Sequence, residues 1–228
     1  MGIYTNRIIR KIHTEWWQSV AGKTPIVVYQ AKGAASYAAS KVNLANAGTN
    51  DAIEGTAPTW NSTDGWIFDG STQYLLTENF TNSNNLTIIT RFSGIDEGTY
   101  YYNGSTVLGT LWQMPHREIF IAFDISDGTG YGGAISIGSK FIYPSNLPIS
   151  GILGVNKNGL YENGEFLGAL SQVPETFSHT FQLSVGAAIY ANYSINNFWY
   201  GKVQCICIYS ETLSSTEMAT ISAAMAAI

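Results

Sequence analysis

Charged residues are scarce in this sequence. Only 12% of its 228 residues are Asp, Glu, Lys or Arg, and the formal net charge is −5. A typical soluble domain has about 25% charged residues. Nucleic-acid phosphates and anionic lipid surfaces are bound by clustered lysine and arginine. The composition therefore disfavours nucleic acid as a partner, and Asn, Ser, Thr, Gly and Tyr must supply most of the polar surface.

Cysteine is almost absent as well. Cys205 and Cys207 stand two apart in the alternating stretch "VQCICIYS", which predicts a strand. Residues two apart on a strand point to one face, where a bridge between them would be strained. No other cysteine exists, and the three histidines have no ligand-like spacing. We therefore predict two buried small hydrophobes.

Long apolar runs are also missing. The N-terminal stretch "MGIYTNRIIRKIHTEWWQSV" has no uninterrupted apolar core, and no segment reaches the roughly 20 apolar residues of a membrane span. We therefore expect no signal peptide and no membrane span. The expectation is a protein made in the cytoplasm and not exported by the general pathway.

Short apolar runs bounded by turn residues fill the chain from Pro25 onward. Regular spacing of this kind indicates an all-β sandwich or barrel. The pair Asn163-Gly164 between alternating residues predicts a type I′ hairpin. Ser214 and Glu217 form a capping box that predicts a short closing helix. The loop at 33–52 is rich in small residues, and we expect it to be extended.

Residues 1–24 differ from the rest, because they carry four of the eleven basic residues, interleaved with apolar residues at helical spacing. Two interpretations stay open: a helix packed on its own domain, and a docking arm for neighbouring subunits. We divide the chain into an arm, 1–24, and a sandwich, 25–228. The candidate assembly residues are Arg7, Ile8, Arg10, Lys11, Ile12, Trp16 and Trp17.

Three motifs carry a resemblance to a known fold family. "WNSTDGWIFDGSTQYLLT", "GVNKNGLYENGEFLGAL" and "FWYGKVQCICIYSETLSSTEM" occur in this order. They resemble the early strand pair, the hairpin and the closing strand of concanavalin A-like jelly rolls of the laminin G-like type. The resemblance implies two antiparallel sheets. It makes Trp66, Phe68, Tyr74 and Leu75 inward-facing core residues, with the turn at Asp69.

The segment before these motifs resembles what precedes such domains in proteins of tailed bacteriophages. It runs "YQAKGAASYAASKVNLANAGTNDAIEGTAPTW". This resemblance of the upstream segment implies a virion protein. The sandwich alone does not decide the role, because the same fold serves as virion part, adhesion module, lectin or glycosidase.

Glycosidases of this family place two carboxylates on one strand face, as nucleophile and acid. No E-x-D pattern occurs in the sequence, and the adjacent Asp96 and Glu97 would point to opposite faces of a strand. We therefore expect no enzymatic activity.

Aromatic and amide side chains in loop-like stretches suit sugar recognition, since aromatic faces stack on sugars and amides bond hydroxyls. The alternative is that they cover an interface between subunits, which favours the same residue types. The candidates are Tyr100, Tyr101, Tyr102, Asn103, Trp112, Tyr131, Tyr190, Tyr193, Asn196, Asn197 and Trp199.

Many relatives of the family hold Ca²⁺ near the rim of the sandwich. In "FDISDGTGYGG", Asp124 and Asp127 offer oxygen ligands for such an ion. A turn rich in Asp and Gly is the simpler interpretation, and we expect no cofactor.

The functional hypothesis is a non-enzymatic surface protein of a tailed-phage virion, decorating the capsid or associated with the tail. It would bind host-surface glycans and form a homo-oligomer with other virion subunits through its arm. A second hypothesis is a purely structural assembly protein that binds no sugar. A glycan-cleaving enzyme ranks third, because the paired carboxylates are missing.

Overall fold

The structure is a computed structural model that describes residues 15–78, 80–83, 85–93, 105–109, 112–113, 116–117, 119–124, 132–137, 140–142, 150–170, 178–189 and 194–228. A 3-10 helix, Trp16–Gln18, comes first, and the two α-helices are α1 (Tyr37–Ser40) and α2 (Ser215–Ala226). The strands are β1 (Pro25–Gln30), β2 (Ile53–Thr56), β3 (Thr59–Asn61), β4 (Gly65–Asp69), β5 (Tyr74–Leu76), β6 (Phe80–Ser83), β7 (Thr87–Ser93), β8 (Ser105–Gly109), β9 (Trp112–Gln113), β10 (His116–Arg117), β11 (Ile119–Asp124), β12 (Gly132–Ile137), β13 (Lys140–Ile142), β14 (Gly151–Asn156), β15 (Gly159–Glu162), β16 (Glu165–Gly168), β17 (Ser178–Phe181), β18 (Ser184–Val185), β19 (Ala188–Ile189), β20 (Ile195–Asn196) and β21 (Tyr200–Tyr209).

These strands form two large antiparallel sheets. The back sheet has the order β16-β15-β14-β7-β21-β4-β3, with β1 also paired to β21. The front sheet has the order β13-β12-β11-β8-β18-β5-β2. Short ladders join β9 to β10, β6 to β17 and β19 to β20. The predicted all-β sandwich of antiparallel sheets with a short C-terminal helix is confirmed.

The main core lies between the two sheets. Its side chains come from both sheets, so the buried face of each strand is apolar and the sheets are held by burial of that surface. The largest of them that are fully or almost fully buried are Trp66, Trp199, Tyr29, Phe68, Phe92, Leu75, Leu86, Ile88 and Leu108.

A second core lies behind the back sheet, under α2. Met218, Ile221 and Met225 of α2 are fully buried there. Gly154 of β14 allows the helix to approach closely, since a Cβ at this position would lie 2.3 Å from Cε of Met218. The back sheet is therefore covered on both faces wherever these residues pack.

Strand β21 supplies both cores and contains a β-bulge. Val203 pairs with Phe92, and Cys205 pairs with Arg91, so Gln204 is an extra residue in the ladder with β7. The bulge changes which face the alternating side chains occupy. Before and after it, Val203, Ile206 and Ile208 face the main core, whereas Cys205, Cys207 and Tyr209 face the second core.

Several local predictions are confirmed. Asn163 and Gly164 have φ of 49° and 90°, as a type I′ turn requires, and they join β15 to β16. Ser214 caps α2, and the side chain of Glu217 accepts a hydrogen bond from the backbone N–H of Ser214 in a complete capping box. Both cysteines are free and buried.

Two expectations are wrong. The loop after Gly33 is not entirely extended, because Ser36 caps the single helical turn α1 with its side chain. Trp17 is not part of a free arm: it is 6% exposed and packs in the second core. Its carbonyl accepts a hydrogen bond of 2.9 Å from the hydroxyl of Tyr209.

Trp16 is half-buried, and its indole N–H donates to the side-chain carbonyl of Gln30 at 2.8 Å. For residues 15–20 the own-domain interpretation therefore holds. Other assembly candidates lie outside the described residues: Arg7, Ile8, Arg10, Lys11 and Ile12. Within the described part of the chain, no helix has the length and apolarity needed to cross a membrane.

Replacing Trp17 by alanine should lower the free energy of unfolding by about 3 kcal/mol or more, because the substitution leaves a cavity beneath α2. Urea unfolding at neutral pH measures the change. Gln18→Ala, at an exposed position of the same 3-10 helix, is the control and should change the free energy by less than about 0.5 kcal/mol. An unchanged value for Trp17→Ala would show that this helix is not part of the folded domain.

Candidate functional site

The outer face of the front sheet is accessible at its β2–β5 edge. Leu75 of β5 is fully buried between the sheets, so its neighbours Tyr74 and Leu76 lie on the outer face, where both are half-buried. Ile53 of β2 pairs with Leu76 and is 45% exposed. This edge therefore presents apolar and aromatic side chains to solvent.

The ring of Tyr74 is held from two sides. It lies across Gly55 of β2, where a Cβ would be 2.0 Å from Cε2 of Tyr74. It also contacts the ring of Phe198, with centroids 6.4 Å apart and an interplanar angle of 53°. The surface formed by Ile53, Gly55, Tyr74, Leu76 and Phe198 is called the Tyr74 face below.

Phe198 reaches this face because the next residue is anchored inside. Trp199 is fully buried and makes an edge-to-face contact with Phe92, with ring centroids 6.0 Å apart. The backbone N–H of Trp199 donates to the carbonyl of Gly186 at 2.8 Å, and the N–H of Gly70 donates to the carbonyl of Trp199 at 2.9 Å. These contacts fix the point where the chain returns to the back sheet.

Two asparagines precede Phe198 in the sequence. Asn196 is exposed and ends the short β19–β20 ladder, where it pairs with Ala188. Asn197 is half-buried and has a φ of 56°, in the left-handed region that asparagine tolerates better than most residues. Amide donors and acceptors therefore stand next to the aromatic pair in the chain.

The turn between β4 and β5 leads directly into the strand that carries Tyr74. One carboxylate oxygen of Asp69 accepts hydrogen bonds from the backbone N–H groups of Ser71, Thr72 and Gln73, at 2.9, 2.9 and 3.1 Å. The second accepts one from the Thr72 hydroxyl at 2.8 Å. Desolvation alone would raise the pKa of Asp69, but these hydrogen bonds outweigh it and hold the pKa well below its usual range.

The charges next to β2 are already paired. Glu54 forms an ion pair with Lys41. The ammonium of Lys41 also lies 4.7 Å from the ring centroid of Tyr37. Burial, followed by the charge of Glu54, raises the pKa of Tyr37 to about 12, so its phenol is neutral at physiological pH.

The structure contradicts one sugar-binding candidate. Trp199 is 0% exposed, so its ring can neither stack on a ligand nor cover a subunit interface, and its prediction as a binding residue is wrong. Asn196 and Asn197 adjoin the Tyr74 face in the chain. Trp112 lies in β9. The candidates Tyr100, Tyr101, Tyr102, Asn103, Tyr131, Tyr190 and Tyr193 lie outside the described residues.

Tyr74 was predicted as a core residue together with Trp66, Phe68 and Leu75. The three others are at most 1% exposed and confirm the prediction, whereas Tyr74 is only half-buried. Strict alternation from Leu75 would have placed Tyr74 outside. The sequence contains no comparable signal for its contact with Phe198, because about 120 residues separate the two.

No metal or thiol chemistry is evident in the described part of the chain. No three His, Cys, Asp or Glu side chains group there as metal ligands would. Burial raises the pKa of the Cys205 thiol to about 12 and also raises that of Cys207, which disfavours the reactive thiolate. For calcium, Asp124 ends β11 and Asp127 lies outside the described residues, so this site stays a prediction.

Solved structures share this fold. A mutant of Trypanosoma rangeli sialidase that displays trans-sialidase activity gives a TM-score of 0.58 at 13% identity, over 89% of this chain and 33% of the sialidase. Domain 4 of AbnA, a GH43 extracellular arabinanase from Geobacillus stearothermophilus, in complex with arabinotriose, gives 0.54 at 12% identity, over 88% of this chain and 98% of the domain. A mutant of HCR/D gives 0.55 at 15% identity, over 89% of this chain and 51% of HCR/D.

The chain thus spans about a third of the sialidase, about half of HCR/D and nearly all of the arabinanase domain. Structural matches at such low sequence identity show the fold alone, a β-sandwich that also occurs in glycan-active proteins. No family model and no curated protein matches the sequence.

Replacing Asp69 by asparagine should lower the free energy of unfolding by about 1 kcal/mol at pH 7, because the turn loses charge-assisted hydrogen bonds. The folded-state pKa of Asp69 lies below its unfolded value of about 3.9. This stabilisation is therefore present above about pH 4 and is lost as the pH falls through the folded-state pKa.

Urea unfolding of both proteins at pH 7, about pH 4 and about pH 2.5 measures the effect. The difference between wild type and Asp69→Asn should be largest at pH 7 and should shrink below about pH 4. A difference that stays constant over this range would show that the charge of Asp69 does not stabilise the turn.

Proposed function

We propose that this chain is a non-enzymatic carbohydrate-binding sandwich on the surface of a tailed-phage virion, and that it contacts sugar through the Tyr74 face. The observation that supports this site is the paired, partly exposed rings of Tyr74 and Phe198. Sugar rings have apolar C–H faces, which aromatic side chains cover, while neighbouring amides bond the hydroxyls. Asn196 and Asn197, which precede Phe198 in the chain, would supply those amides.

Preorganisation of this surface supports the proposal. Gly55 and Phe198 already fix the ring of Tyr74, and Ile53 and Leu76 extend the apolar surface along the sheet. A ring that is held before the ligand arrives loses little conformational entropy on binding. Among the neighbours in fold, the arabinanase domain is described in complex with arabinotriose, which is consistent with sugar binding by such a sandwich.

A catalytic role has less support. The hairpin after β15 does pair Glu162 with Glu165 across two strands, although the two are not in an E-x-D pattern. This pair lies beside β16, at the edge of the back sheet opposite β3, whereas the Tyr74 face adjoins β3 and β4 through short connections. Phe166 follows Glu165 on β16, and its ring contacts that of Tyr161, but two carboxylates facing each other across a hairpin do not by themselves support the third hypothesis.

The virion location rests on the resemblance of the segment before Trp60 to tailed-phage proteins. Under this proposal the arm that anchors the subunit is the part before Glu15, which holds Arg7, Arg10 and Lys11. Attachment through many copies would strengthen weak sugar binding, because each further site binds at a high effective concentration.

One observation favours the second hypothesis, a structural assembly protein. Phe166 and Leu167 are adjacent on the edge strand β16 and are 51% and 45% exposed. Edge strands with exposed apolar side chains pair readily with other chains. This surface is separate from the Tyr74 face, so subunit contact and sugar binding are compatible.

Replacing Tyr74 by alanine should weaken sugar binding about tenfold or more, since loss of a central aromatic contact costs more than about 1 kcal/mol. Gly55→Ala should weaken it as well, because the new methyl group occupies the space of the Tyr74 ring. Glycan-array screening followed by calorimetry with the best oligosaccharide measures the affinities.

Phe166→Ala is the matched control, because it removes an exposed aromatic ring from the opposite side of the molecule. Its affinity should equal that of the wild type. If Phe166→Ala abolishes binding while Tyr74→Ala and Gly55→Ala do not, the site has been assigned to the wrong face.

Deleting residues 1–14 should leave the unfolding midpoint unchanged and abolish higher oligomers, because Trp17 and the rest of the second core remain. Light scattering and thermal unfolding of full-length and shortened protein test both expectations. Oligomers that persist without residues 1–14 would contradict the arm. Their disappearance in Phe166→Ala instead would assign assembly to β16.

A further inference from the structure

We infer that the Tyr74 face selects neutral glycans and discriminates against anionic ones, such as sialylated or sulfated chains. This inference rests on the proposed function and adds the class of ligand. It follows from the charges around the face.

The segments that build the Tyr74 face contain no basic residue. Residues 53–56, 69–76, 188–189 and 194–200 include two acidic residues, Glu54 and Asp69, and no Lys, Arg or His. Asp69 is ionised at neutral pH, because the backbone hydrogen bonds of its turn lower its pKa. Because Lys41 neutralises Glu54, the carboxylate of Asp69 supplies the local negative charge.

The nearby cations that the structure describes are engaged elsewhere. Lys41 is paired with Glu54 and lies against the ring of Tyr37. Lys202, at the far end of the β4–β21 pair, donates to the carboxylate of Asp64 at 2.9 Å. Neither ammonium can reach an anionic sugar without giving up its present partner.

Binding of an anionic sugar at this surface would have two unfavourable contributions to its free energy. Its carboxylate or sulfate would lose hydration without gaining a cation. It would also be repelled by Asp69, more strongly at low ionic strength. A neutral sugar has neither cost, since its hydroxyls can bond Thr56, Asn196 and Asn197 while its C–H face covers Tyr74.

Thr56 allows a direct test of this charge argument. It is exposed and pairs with Tyr74 across the ladder between β2 and β5. Thr56→Lys places an ammonium beside the ring. Thr216→Lys adds the same charge on the exposed first turn of α2, behind the back sheet, and serves as the matched control.

The experiment measures the affinities of wild type, Thr56→Lys and Thr216→Lys for one neutral oligosaccharide and its sialylated counterpart, at low and high salt. The wild type should bind the neutral chain at least about tenfold more tightly. Thr56→Lys should reduce this ratio several-fold at low salt, and Thr216→Lys should leave it unchanged.

Two other results are distinguishable. Equal or tighter binding of the sialylated chain by the wild type, lost in Tyr74→Ala, would overturn the neutral selectivity and leave the sugar site in place. Absence of binding to any oligosaccharide on a broad array, with all variants folded, would overturn the proposed function and this inference together.

Discussion

Burial of strand β21 on both faces is the constraint on which the rest of the structure depends. Alternation along this strand sends Ile206 and Ile208 into the sandwich and Cys205 and Cys207 towards α2, and the bulge at Gln204 keeps Val203 on the sandwich side as well. A strand without polar alternation must be covered from both sides. The helix and the segment around Trp17 provide the outer cover, so the back sheet is largely unavailable as a binding surface.

The front sheet therefore provides the accessible surface. Its inner face is fixed by Leu75, Leu108 and other core residues, but in the described part of the chain no helix covers the part of its outer face formed by β2 and β5. Partly exposed rings there are anchored indirectly, Tyr74 through Leu75 and Phe198 through the buried Trp199. A binding surface is most selective when buried residues beneath it hold its aromatic side chains in fixed positions.

The sequence predicted features whose signals are local. The hairpin at Asn163-Gly164 and the capping box at Ser214 need only neighbouring residues, and both occur as expected. Trp199 was predicted to be exposed and is buried, whereas Tyr74 was predicted to be buried and is partly exposed. Both predictions failed because burial of an aromatic residue depends on which distant strand lies beside it. The contact between Tyr74 and Phe198 follows from sheet order, which no local pattern encodes.

The most direct test of the central claim, that sugar binds at the Tyr74 face, is NMR mapping with a neutral oligosaccharide identified by array. We expect shifts at the residues of the Tyr74 face, at Thr56 and at the amide groups of Asn196 and Asn197. Shifts that cluster around Phe166 and Leu167 on β16, with none at Tyr74, would contradict it.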